Sequence, residues 1–143
     1  MKITVCGGIK FAKELVKICK ELEKQGHIPL MQEDMYKLAD GTAEELIDMA
    51  NGVETAEIKK KYDYIKAWHK VINDSDAILV CNFDKNGIKN YIGGNTLMEI
   101  GFAYVSNKKV FLLNSIPEDV PYIDEIKAMM GVELNGDLSK IGR

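Results

Sequence analysis

Apolar positions along the chain recur in two ways: short runs suited to strands, and three- and four-residue steps suited to helices. Lys2-Ile3-Thr4-Val5-Cys6 fits a short strand that meets Gly7-Gly8 at once. Phe11, Leu15, Ile18 and Leu22 then fall on one helical face, with Ala12, Val16 and Cys19 beside them, and Gly26 stops that helix. His27 to Met31 reads as a second strand, and Pro29, which lacks an N–H, assigns it to a sheet edge. Thr42-Ala43-Glu44-Glu45 has the form of a capping box, and Asn51-Gly52 closes the helix it would open. A longer helix is predicted from about Thr55 to Asp74, its inward stripe made of Ile58, Tyr62, Ile65, His69 and Ile72. Ala77-Ile78-Leu79-Val80-Cys81, after Asp76, is a continuous apolar run of the kind found in a central parallel strand.

Residues 83–95 form a loop rich in Asp, Lys, Asn and Gly. From Leu97 to Val105 the chain reads as a helix with no polar face, a pattern that predicts burial all round, yet it carries one carboxylate, Glu99. Lys109 to Asn114 is a fourth strand, Pro121 to Met130 a last helix and Val132 to Asn135 a short fifth strand. This βαβ alternation predicts an α/β fold: a flavodoxin-like, Rossmann-like three-layer sandwich around a five-stranded parallel sheet, order 2-1-3-4-5. Ligands of such sheets bind beyond the carboxyl ends of the strands, at the switch point.

Length and composition narrow the function. The 143 residues, 46% hydrophobic and 29% charged, suit one domain spanning 1–143. No apolar run approaches the ~20 residues of a membrane helix. The opening Met1-Lys2-Ile3-Thr4-Val5 reads as a first strand and not as a signal peptide. Cys6, Cys19 and Cys81 lack metal-ligand spacing and are expected to be free thiols in a reducing, cytoplasmic setting, with no metal and no cofactor. A net charge of −3 leaves no basic stripe for a nucleic acid polymer. A small anionic ligand would have to be met locally.

Two loops suit that task. Gly7-Gly8-Ile9-Lys10 links a strand to a helix, where close backbone approach and free amides favour an anion and Lys10 adds a charge. The alternative is a tight turn needing positive φ. The second loop, Asn90 to Thr96, holds Gly93, Gly94 and Asn95 and leads into the apolar helix. Glu99 itself admits two readings. Thr96-Leu97-Met98-Glu99 fits a capping box, in which Glu99 would bond the Thr96 amide. Otherwise Glu99 points from the sheet edge into a ligand crevice, since an unpartnered buried carboxylate is costly.

Taken together, "VCGGIK", "SDAILV", "GGNTLMEIGFAY" and "KKVFLLN" resemble the nucleoside 2-deoxyribosyltransferase superfamily, which includes 2′-deoxynucleoside 5′-phosphate N-hydrolases. The likeness covers most of the chain and is weakest in the middle helices. It implies that Glu99 attacks the sugar anomeric carbon and that Gly7, Gly8, Ile9 and Lys10 contact the sugar phosphate or nucleoside. It implies N-glycosidic cleavage or transfer on a deoxynucleoside or its 5′-monophosphate, and a homodimer or higher oligomer. One departure stands out. The family's aspartate before the third strand falls here near Trp68 and His69, where there is none. A strand climbs ~3.3 Å per residue and a helix ~1.5 Å, so the ligand edge is reached near Tyr62 and Asp63, with His69 about halfway up. Tyr62, Asp63 and His69 are therefore the candidate acids. The missing aspartate also leaves room for a module that binds a nucleotide or nucleoside without turnover, and the apolar helix for a structural or partner-binding domain whose helix lies at a subunit interface.

Overall fold

A computed structural model describes residues 1–42, 56, 60 and 63–142. Its five strands are β1 (Lys2–Cys6), β2 (Ile28–Leu30), β3 (Ala77–Val80), β4 (Lys109–Leu112) and β5 (Val132–Glu133). They form one parallel sheet in the order β2-β1-β3-β4-β5. This is the predicted α/β, Rossmann-like arrangement. Around it stand α1 (Ala12–Lys24), α2 (Glu33–Asp40), α3 (Tyr64–Asn73), α4 (Gly94–Val105) and α5 (Ile123–Met129).

The apolar run of β3 lies at the centre, and all four of its residues are fully buried. The register Ile3↔Ala77 through Cys6↔Val80 locks β1 against it. Pro29 sits in β2, at the sheet edge, where a missing N–H breaks no ladder. Thr4 is fully buried in β1, and its hydroxyl donates to the Val71 carbonyl of α3, so the polar atom is satisfied. α1 buries Leu15, Cys19 and Leu22 and ends where Gly26 takes φ +86°, which lets the His27 amide return to the Leu22 carbonyl.

Three expectations change. First, α2 was not legible as a helix: Gln32 caps it by accepting from the Asp34 amide, and Gly41 ends it at φ +78°. Second, α3 is rotated. Trp68 and Ile72 face the core, while Ile65 and His69 are exposed. The bulky indole displaces the smaller imidazole from the interior, since it removes more apolar surface from water. Third, α4 is not buried all round: Ile100 and Ala103 are covered, but Met98, Tyr104 and Val105 are exposed. The capping helix expected after Thr42, and the first part of the helix expected from Thr55 apart from Ala56 and Lys60, lie outside the described residues. No helix among the described residues is long and apolar enough to cross a membrane.

Candidate active site

A cavity of about 220 Å³ opens at the carboxyl edge of the sheet, where β1 and β3 diverge into their connections. Neighbouring strands are ~4.8 Å apart, so a cavity crossing the ends of β2, β1 and β3 is roughly 10 Å across. Its floor is the Gly7-Gly8 turn with Val80 and Cys81. One wall is the start of α4, from Gly93 to Glu99, and the opposite wall carries Gln32, Asp34 and Met35 of α2. Tyr64 and Trp68 of α3 close the side.

The glycine turn is built for space. Neither Gly7 nor Gly8 has a positive φ, so the tight-turn explanation fails. A Cβ on Gly7 would meet Leu15 at 3.0 Å and the Cys81 carbonyl oxygen at 3.4 Å. A side chain there would press on Leu15 and on the Cys81 backbone next to the floor, so glycine lets this turn pack closely.

A small roof comes from the loop after β3. Lys85-Asn86-Gly87-Ile88 closes on itself with Lys85 N to Ile88 O at 3.1 Å and Ile88 N to Lys85 O at 2.9 Å. Asn86 and Gly87 both have positive φ, at 56° and 73°, as a two-residue type I′ hairpin requires. Phe83 packs on Phe11 with ring centroids 5.1 Å apart, which ties this hairpin to the glycine turn. The Lys85 ammonium then lies 3.8 Å from the Cβ position of Gly8. Farther along, the Tyr122 hydroxyl donates to the Ile92 carbonyl, and Asn82 binds Asn114 and Ser115 across the ends of β3 and β4. These bonds fix the loop before α4.

Glu99 lines the cavity and is 7% exposed. The capping box is absent, because α4 starts earlier than the pattern suggests. Gly93 is the N-cap and Thr96 is already in the first turn, with no side-chain cap on the helix. Glu99 is thus in the second turn. Its Oε2 is buried without a hydrogen-bond partner among the described residues. Burial pushes its carboxyl up from 4.5 to about 8, and the neighbouring Cys6 thiol draws it partly back. Burial also holds the Cys6 thiol well above its usual range, and the Glu99 charge adds to this.

The other candidates divide. Gly7, Gly8, Ile9, Gly93, Gly94 and Asn95 line the cavity with Glu99. Lys10 is exposed and does not, so among the described residues the cation lining the cavity is Lys85. Tyr62 lies outside the described residues. Asp63 is exposed, in the left-handed region at φ 49°, 3.8 Å from Lys66 Nζ, and is not a cavity residue. His69 is on the outer surface: its ring meets Phe102 edge-on at 5.0 Å and Asn73 at 3.4 Å. The inward orientation expected for it is therefore corrected.

Three polar residues at the cavity were not among the sequence candidates. Asp34 Oδ2 accepts from the Tyr64 hydroxyl and from Gln32 Nε2, both at 3.3 Å, and all three line the cavity. The signal for them was Gln32 before Glu33-Asp34, which opens an acidic first turn just past an edge strand.

Among solved structures, the chain is similar to the CMP N-glycosidase BcmB of Clostridium botulinum, with a TM-score of 0.54 and 14% identity over 94% of this chain and 89% of that one. At that identity the likeness is one of fold. No protein-family model matches the chain, and no curated protein does.

Proposed function

We propose that this chain cleaves the N-glycosidic bond of a nucleoside or deoxynucleoside 5′-monophosphate, with Glu99 as the nucleophile. The observation that carries the reading is Glu99 Oε2, which has no hydrogen-bond partner among the described residues, on a side chain nine-tenths buried that faces a cavity at the switch point of a parallel sheet. The solved structure of similar fold is named for the same bond class. The cavity, about 220 Å³, lies below the roughly 300–1,000 Å³ of many ligand pockets, which suits one compact molecule and no polymer.

The ionised Glu99 attacks the anomeric carbon, and the bond to the base nitrogen breaks with its electron pair going to the base. The departing base takes a proton, and water or a second base then attacks the glycosyl–Glu99 ester. Asp34 on the far wall and Tyr64 at the side, joined by a hydrogen bond, stand where a base beside the sugar would lie. Lys85, the glycine turn and the uncapped amides at the start of α4 form an anion cradle for the 5′-phosphate.

A second reading has one observation in its favour. Burial holds Glu99 largely protonated at neutral pH, and a carboxylic acid is a poor nucleophile. A module that binds the nucleotide without turnover would tolerate this. The two separate on incubation with nucleoside and deoxynucleoside monophosphates, following free base by chromatography. Base release from the wild type and from His69→Ala, with binding but no release in Glu99→Gln, is expected. Release at the wild-type rate from Glu99→Gln would remove the nucleophile. Nucleotide-induced stabilisation without release in the wild type would favour the binding module.

A further inference from the structure

Resting on the reading of this cavity as a nucleotide site, we propose that Asp34 selects the base: its carboxylate is a fixed hydrogen-bond acceptor that takes an exocyclic amino group, so cytosine and adenine are preferred to their oxo counterparts, uracil and hypoxanthine. Asp34 is carried by α2, which follows the edge strand β2, and Glu99 by α4, which follows the central strand β3. β1 lies between them, so the strand ends that deliver the two residues stand roughly 10 Å apart, the width of one base with its contacts on either side.

The acceptor is held by its neighbours. The Gln32 amide cannot turn over, because its Oε1 accepts from the Asp34 amide at 2.8 Å and a backbone N–H only donates. Its Nε2 therefore faces the carboxylate and donates to Asp34 Oδ2 at 3.3 Å. The Tyr64 hydroxyl, from α3, donates to the same oxygen at 3.3 Å. Among the described residues, Oδ1 has only Lys37 Nζ beside it, at 3.8 Å, too long for a hydrogen bond. That lysine is half-exposed and does not line the cavity, whereas Gln32, Asp34 and Tyr64 all do. An ionised carboxylate has no hydrogen to give, so Oδ1 offers a ligand an acceptor and nothing else.

The surroundings suit a flat ring. Met35 and Leu38 of α2 and Trp68 of α3 line the cavity from the same two helices. Apolar side chains cover the faces of a ring and leave its orientation to the few polar groups. A phosphate here would meet the charge of Asp34, while Lys85 stands over the glycine turn. An amino and an oxo group at one ring position have opposite needs. The amino group donates to a carboxylate, the pairing by which acidic side chains read cytosine. An oxo group would set its lone pairs against Oδ1, a loss of about tenfold to a hundredfold in affinity.

The test measures binding by isothermal titration to Glu99→Gln, which is expected to hold ligand without turnover, and base release by the wild type. The probes are two pairs of 5′-monophosphates, cytidine with uridine and adenosine with inosine, in ribo and deoxy forms. In each pair that binds, the amino member should bind at least about tenfold more tightly. Adding Asp34→Asn, shown to be folded by its thermal melt, should reverse the order. Gln32 Nε2 and the Tyr64 hydroxyl would hold the new amide oxygen at the place of Oδ2 and leave its N–H groups at the place of Oδ1, where they suit an oxo group. Adding Asp34→Ala instead should level the pairs. Equal affinities within the pairs, or an order that survives both substitutions, overturn the proposal. Release by the wild type at equal rates from the cytidine and uridine nucleotides keeps the glycosidase reading and overturns the role of Asp34. Selective binding with no base released supports the role of Asp34 and removes the glycosidase reading. Binding of none of the four overturns both.

Discussion

Replacing Glu99 with glutamine should stabilise the protein, and only above mildly acidic pH. The folded carboxyl is held at about 8 against 4.5 for the free side chain. Between those values the folded chain binds a proton that the unfolded chain has released. Stability is therefore lost as pH rises from the unfolded value through the folded one, and the loss levels off above it. At ~1.4 kcal/mol per unit, the contribution is small at pH 5 and about 4 kcal/mol more unfavourable at pH 8.5. Glutamine cannot ionise and has nearly the same shape. Its extra N–H would meet no acceptor at Oε2, a cost of about 1 kcal/mol that is independent of pH. Glu99→Gln should thus be slightly weaker than wild type at pH 5 and about 3 kcal/mol stronger at pH 8.5. Urea unfolding of both proteins from pH 5 to 8.5 measures this directly, because every other titration is common to the two and cancels in the difference. Two parallel stability curves would refute the burial argument, and with it the idea that the fold holds a strained carboxylate at this edge.

Lys85→Ala should weaken binding of a nucleoside monophosphate by about tenfold or more and leave the free nucleoside unaffected; Lys10→Ala should change neither, since its side chain stands outside the cavity. Isothermal titration of both ligands against both variants decides this, and an equal loss for the nucleoside would take Lys85 off the phosphate. Gly131→Ala should cost about 1–3 kcal/mol in urea unfolding, because its Cβ would come within 2.9 Å of the Val110 carbonyl oxygen, which already accepts from the Gly131 amide. A loss under about 0.5 kcal/mol would mean that the α5–β5 connection moves aside freely.

What could be read from the chain followed the physics that is local. Strand order came from βαβ alternation and from the apolar run Ala77–Val80, and the carboxylate inside an apolar helix marked Glu99 before any fold was known. What escaped was set by tertiary contact. The stripe through Ile65 and His69 and the stripe through Trp68 and Ile72 share Ile72, and periodicity alone cannot say which one turns inward. Thr96 looked like an N-cap because capping boxes are defined by residue type, yet the helix begins at Gly94, where the loop delivers it. Lys85 reaches Gly8 only through the hairpin, whose sequence sign, Asn86-Gly87, is masked by the polar loop around it. Asp34 stands on a helix of eight residues, too short for its pattern to stand out.

The pairing of Ile3 with Ala77 also orders events during synthesis. The first strand emerges early, but its inner neighbour is more than seventy residues away along the chain, and contacts of that separation form slowly. Glu99 follows later still. A nascent chain carrying the glycine turn therefore has no crevice and bears no cost for its acid; both arrive together, when the middle of the sheet finally zips.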